Sequence, residues 1–163
     1  MVALMALAAG CGGSDDDASK DSPSARATEP AAGSLTRAQV VERGDELCSG
    51  FRKRTGPLED TYKDSEDAQE IAEALRELGR EGERIIDSFR KLAARAPDRE
   101  VLRRYVGTVK EQVVILNRAA DQYVQGDPES GQALLEAGQE TGSELSGIFQ
   151  GYGFKVCGSN TED

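Results

Sequence analysis

The sequence predicts an all-α protein, an up-down-up-down four-helix bundle whose first helix and C-terminal tail are joined by a disulfide. Three observations predict it. Apolar residues recur at helical spacing in four separate segments. Aromatic residues are sparse and tryptophan is absent, so the core must be built from Leu, Ile, Val and Ala, which suits helices better than a sandwich of short strands. The breaks between segments are short and rich in cap and turn residues, which makes consecutive helices antiparallel neighbours. The competing architecture is an extended helical hairpin that dimerises through the seam of the second helix.

The domain occupies residues 35–158, preceded by two segments of other character and followed by a short polar tail, 159–163. Residues 1–10 are mostly apolar and end in Ala8-Ala9-Gly10 before Cys11. Small residues directly before a cysteine resemble a bacterial lipobox, in which the signal is cleaved ahead of the cysteine and the cysteine carries lipid. No Lys or Arg precedes the apolar run, so either the true start lies upstream or the signal is degenerate. From Cys11 to Ser34 the chain has no large apolar residue and is rich in Asp, Ser, Ala, Pro and Gly. Such a composition buries too little to offset its ordering entropy and reads as a disordered tether. Its Asp15-Asp16-Asp17 run reads as solvated spacing rather than a metal site.

The first helix opens at Leu35-Thr36-Arg37-Ala38-Gln39-Val40. Thr36 and Gln39 have capping-box spacing, and Leu35 and Val40 are placed for a hydrophobic staple. Val40, Gly44, Leu47, Cys48 and Phe51 follow at helical spacing, which turns Cys48 inward. Gly56-Pro57 is expected to end this helix, leaving 58–63 as a connection or one extra turn. The second helix is expected over about 65–94, with Ile71, Leu75, Leu78, Gly82, Ile85, Phe89 and Leu92 alternating in steps of four and three. Gly82 on that seam predicts close approach of a neighbouring backbone.

Ala96-Pro97-Asp98 breaks the pattern, with Asp98 as a cap. The third helix is expected to run to about Val124 and to present Leu102, Tyr105, Val109, Val113, Leu116, Ala120 and Tyr123 inward. Val106, Val114 and Ile115 widen its apolar face, so it is expected to be the most buried helix. Gly126-Asp127-Pro128 supplies a terminal glycine, a cap and a first-turn proline in succession. The fourth helix, about 128–150, keeps the rhythm through Leu134, Gly138, Thr141, Leu145, Ile148 and Tyr152. Its interior glycines weaken it by roughly 1 kcal/mol each relative to Ala. It therefore depends on packing or a covalent tie.

Three cysteines are an odd number for an exported chain. With Cys11 assigned to lipid, Cys48 and Cys157 remain as a pair. The tail from Tyr152 to Cys157 must then turn back along the first helix, laying Phe154 and Val156 on the end of the core. By the chain-entropy argument a loop of this length contributes roughly 4–5 kcal/mol.

Several chemistries find no residues. Histidine is absent, which removes the commonest general base and metal ligand. No haem, di-iron, zinc or phosphate-loop pattern occurs, so no cofactor is expected. A net charge of −10 argues against a nucleic-acid partner. Two constellations remain as candidate ligand or partner surfaces. Glu136, Glu140 and Glu144 form an i, i+4 ladder, most simply a solvated face, with the arginines at 76, 80, 84, 90, 95, 99, 103 and 104 as possible opposing charges. Tyr105 and Tyr123, with Tyr62 and Tyr152, could line a pocket, although such tyrosines are more often half-buried core.

The first-helix stretch Gly44-Asp45-Glu46-Leu47-Cys48 and the closing Tyr152-Gly153-Phe154-Lys155-Val156-Cys157-Gly158 together resemble a group of small exported or lipid-anchored helical proteins of high-GC Gram-positive bacteria. These carry an Ala-Asp-x-Ile-Cys-like core in the first helix and end in Tyr-Gly-Leu-x-x-Cys-Gly. The resemblance implies a Cys48–Cys157 bridge within a helical domain, and no activity. This chain departs from the pattern at Gly44, where alanine is usual, and at Phe154, where leucine is.

The reading that follows is a non-enzymatic, lipid-anchored, extracytoplasmic module, structural or interacting, on the outer face of the cell membrane. It would be held there by lipid on Cys11 and work with an envelope protein partner. The alternative is an extracytoplasmic small-ligand-binding or sensing domain with a cleft between helices. An enzyme stands third, for want of a nucleophile and base.

Overall fold

The computed structural model describes residues 33–157 and, for 140–145, the backbone only. The signal segment, Cys11, nearly all of the tether and the 159–163 tail lie outside the described residues. Among the described residues every regular element is an α-helix: α1 (Arg37–Asp64), α2 (Ala68–Ala93), α3 (Arg99–Gln125) and α4 (Pro128–Tyr152). Each packs chiefly against its neighbours in sequence.

The expected start of α1 is present in full. Thr36 Oγ1 accepts from the Gln39 N–H, and Gln39 Oε1 accepts from the Thr36 N–H at 2.9 Å, so two otherwise orphaned donors are satisfied. Leu35 and Val40 are both buried beside this cap. The end of α1 differs from the expectation: the helix runs through Gly56-Pro57 to Asp64. A proline inside a helix removes one backbone hydrogen bond and costs about 3 kcal/mol. Here the residues beyond it compensate. Leu58 and Tyr62 pack against a core cluster built on Ile71, Leu75, Ala120 and Tyr123. The Thr61 hydroxyl donates to the Pro57 carbonyl at 2.9 Å, and Tyr62 Oη donates to Gln132 of α4 at 3.1 Å. Pro57 itself is exposed.

Because Ser65 serves as the cap that ends α1, α2 begins only after Asp67, whose carboxylate accepts from the N–H groups of Gln69 and Glu70. All seven residues of the expected seam of α2 are buried. Gly82 is a point of close approach, but to a side chain rather than a backbone: a Cβ there would lie 2.6 Å from Val113 Cγ2. The most buried helix is α2, not α3: 13 of its residues are buried against 7 of α3, although each lies against two neighbours. The added width of α3's apolar face points partly to solvent, leaving Val114 49% exposed.

Gly126 closes α3 in the left-handed region, φ 78°, and the Asp127 carboxylate accepts from the Ser130 N–H at the head of α4. Asp98 occupies the cap position of α3, yet its carboxylate makes no capping hydrogen bond; nothing in its surroundings explains this. The core has two clusters. One is the Ile71–Tyr123 group near the links that follow α1 and α3. The other, at the opposite end, gathers Phe89, Leu102, Tyr105, Phe149 and Phe154 with both cysteines.

Candidate functional site

The site is the place where the chain after α4 meets α1. Helix α4 ends because Gly153 takes a left-handed conformation, φ 105°. The N–H groups of Gly153 and Phe154 both return to the Phe149 carbonyl at 3.1 Å, which satisfies the helix end and redirects the chain. Arg37, in the first turn of α1, donates from Nη2 to the Tyr152 carbonyl at 2.9 Å, and its guanidinium lies 4.7 Å from the centre of the Tyr152 ring. A cation there complements the negative end of α4's dipole.

Beyond the turn, the tail runs along one face of α1, on Gly44, Asp45, Cys48 and Arg52. Phe154 is buried and lies over Gly44, where any Cβ would collide with the ring: two further ring carbons stand 3.1 Å from that position. The Phe154 ring meets Phe149 edge-on at 4.9 Å and stacks on Tyr152 at 5.2 Å. Asp45 then receives three successive backbone N–H groups: Lys155 at 3.0 Å, Val156 at 2.8 Å and Cys157 at 3.2 Å. Hydrogen bonds to an ionised acceptor are roughly twice as strong as neutral ones. Arg52 Nη2 donates to the Val156 carbonyl at 2.7 Å. The Cys48–Cys157 disulfide closes the arrangement with Cα atoms 5.4 Å apart, and both cysteines are buried.

Chemically this is a fastening. The disulfide has no exposed sulfur for exchange, and the Asp45 carboxylate is already engaged by the tail. The expected pairing, the turning back of the tail and the burial of Phe154 are all present. The hydrogen-bonded roles of Asp45, Arg37 and Arg52 were not anticipated. Asp45 stands in the first-helix motif, three residues before Cys48, but its partners are backbone groups with no side-chain signature.

The other candidates do not converge. Glu136 is exposed and accepts a 3.3 Å hydrogen bond from Gln132; the side chains of Glu140 and Glu144 are outside the described residues. Five of the arginines are paired with other acids. Arg80, Arg84, Arg90 and Arg103 pair with acids of their own helix, and Arg76 pairs with Asp121 of α3. The tyrosines divide between the two clusters instead of lining one pocket. Tyr105 lies between Phe89, tilted at 4.3 Å, and Phe149, edge-on at 4.6 Å, and the Tyr123 ring lies over Gly131. Burial pushes Tyr105 well above the usual phenol range, and raises Tyr62, Tyr123 and Tyr152 as well, so none is poised as a phenolate base. Among the described residues no three acidic or cysteine side chains are gathered to hold a metal ion.

One buried charge was also not anticipated. Glu81, on α2, is 4% exposed and accepts from Arg54 of α1 at 2.7 Å and from Arg84. The Arg54 hydrogen bond holds its carboxyl below the ordinary range, against the opposing effect of burial and with further help from Arg84.

Fold and site together define a class: an all-helical, disulfide-closed domain whose C-terminal tail is fastened to its first helix. No family model, curated protein sequence or solved structure matches the chain.

Proposed function

We propose that the protein is a non-enzymatic, lipid-anchored module on the extracytoplasmic face of the cell membrane, serving a structural or interaction role with an envelope protein. The observation that carries this reading is the buried Cys48–Cys157 disulfide, a structural bond of a kind that persists in oxidising compartments. It accounts for two cysteines and leaves Cys11, behind its small-residue run, for lipid. The fastened tail supports a structural role, since Phe154, Cys157 and the backbone N–H groups of 155–157 are all engaged by the domain.

We read the helices as an up-down-up-down bundle. In support, the two ends of α1 meet the opposite ends of α4, through Arg37 with Tyr152 and through Tyr62 with Gln132. Likewise Phe89 meets Tyr105, and Arg76 meets Asp121, contacts that antiparallel α2 and α3 would make. The membership suggested by the two cysteine motifs belongs to this proposal too.

The test is mass spectrometry of the protein recovered from the membrane fraction of its own cells. The reading expects a mature chain that begins at an acylated Cys11, and processing blocked by globomycin. A chain retaining residues 1–10 with an unmodified Cys11 would reject the anchor. In-cell crosslinking followed by affinity capture then tests the partner; no reproducible envelope protein would count against the interaction role.

A further inference from the structure

We propose that the end of the domain at which residue 33 enters is a membrane-docking face that binds anionic lipid headgroups. The entry point is fixed by two bonds: the Leu35 N–H donates to the Arg95 carbonyl at 2.8 Å, and Arg95 Nε donates to the Gly33 carbonyl at 2.8 Å. The chain therefore joins the domain against the link between α2 and α3. That link is the most basic part of the molecule. Residues 90–104 hold six basic side chains, Arg90, Lys91, Arg95, Arg99, Arg103 and Arg104, against two acidic ones, Asp98 and Glu100, within a chain of net charge −10. All six are exposed.

The opposite end has the reverse sign. Residues 59–73, around the link between α1 and α2, hold seven acidic side chains and one basic one, Lys63. Asp127 and Glu129 extend this end, which the Tyr62–Gln132 hydrogen bond brings to the head of α4. The domain is thus electrically polar along its helices. Over an anionic surface such a distribution orients the molecule with its 90–104 end inward and repels the far end.

The basic end also has a shape suited to headgroups. A cleft of about 390 Å³ lies between the last turns of α2 and the first turns of α3, floored by Ala93, Ala94 and Val106 and rimmed by Arg90, Arg99 and Arg103. Guanidinium groups match phosphate oxygens in pairs. Asp87 at 3.0 Å from Arg90 and Glu100 at 4.0 Å from Arg103 reduce the positive charge only in part, as exposed pairs that contribute little. The proposal rests on the lipid-anchored reading for what brings the domain to a membrane, and not for the chemistry of the face.

The experiment uses the full chain with Cys11→Ser, so that no acyl group contributes, and vesicles of phosphatidylcholine with or without phosphatidylglycerol. The expected result is salt-sensitive binding to the phosphatidylglycerol vesicles alone. Each basic residue near an anionic surface contributes about a fivefold gain in partitioning. The triple variant R99Q/R103Q/R104Q should therefore lose roughly a hundredfold, while R99K/R103K/R104K binds within a fewfold of the parent. K53Q/K63Q/K110Q, with the same change in net charge placed elsewhere, should bind as the parent does. Circular dichroism confirms that each variant keeps its helices. Equal binding to both vesicle types, no binding, equal losses from both glutamine triples, or equally strong arginine-dependent binding to duplex DNA would each overturn the proposal. Acylation of Cys11, read separately by mass spectrometry, is untouched by these outcomes. The docking face and the anchor can therefore fail independently.

Discussion

Replacing Gly44 with alanine should destabilise the protein although alanine is the better helix former. Gly44 lies inside α1, where alanine gains about 1 kcal/mol in helix propensity. Against this stands the Phe154 ring, which a methyl at Gly44 would overlap. The ring has little freedom to retreat, being held edge-on by Phe149 at 4.9 Å and stacked by Tyr152 at 5.2 Å, with the disulfide three residues further along the tail. Overpacking of a confined site costs about 1–3 kcal/mol. Taking the upper end, the net loss is about 2 kcal/mol, a fall in Tm of roughly 5–10 °C for a domain of this size. Phe154→Leu alone should lose about 1–2 kcal/mol by leaving a cavity. The double variant G44A/F154L should be no worse than F154L, because the smaller side chain clears the methyl. The assay is thermal unfolding followed by far-UV circular dichroism on all four proteins under oxidising conditions. A G44A variant as stable as the parent, or additive losses in the double variant, would refute the reasoning.

Three further perturbations follow from the same geometry. Cys157→Ser should remove up to about 4–5 kcal/mol for a bridge spanning 109 residues. Hydrogen exchange should then quicken first over 149–157, and unchanged exchange there would contradict the fastening role. Asp45→Ala strips three tail N–H groups of their acceptor and should cost about 2–3 kcal/mol in urea unfolding; Asp45→Asn, which keeps one acceptor oxygen, should lose about half as much. Glu81 has a folded pKa below its unfolded value of about 4.3. Its contribution is thus present above pH ~4.3 and lost as pH falls through the folded pKa. Measured by urea midpoint against pH, the advantage of the parent over Glu81→Gln should shrink on acidification and stay level at higher pH; a gap that widens in acid would contradict the Arg54–Glu81–Arg84 assignment.

Much of the fold was legible because local rules suffice for it. The Thr36–Gln39 box, the Gly126-Asp127-Pro128 link and the seam of α2 each depend on residues within a few positions of one another, and each is present, while Leu35 and Val40 are both buried in one cluster. The failures are places where distant contacts outweigh local preference. Pro57 signals a stop, but nothing adjacent to it reveals that Leu58 and Tyr62 have a core cluster to reach. Val114 widens the apolar face of α3, yet apolar width does not reveal how far the neighbouring helices extend over it. At the site, the Cys48–Cys157 pairing was reached by assigning Cys11 to lipid, which left the other two cysteines for each other. The partners of Asp45, Arg37 and Arg52 are backbone groups more than a hundred positions away. A carboxylate that binds backbone leaves no complementary side chain in the sequence to recognise, so its role emerges only once the tail has been placed.

The central claim is that the domain is closed by fastening its tail to α1, and the proposed export rests on that closure. Its most direct measurement is non-reducing peptide mapping of the protein taken from its own cell envelope after blocking free thiols. The account predicts one linked peptide pair containing Cys48 and Cys157 and no alkylation at either residue. Alkylation of both in the native protein, or a disulfide that instead includes Cys11, would contradict it.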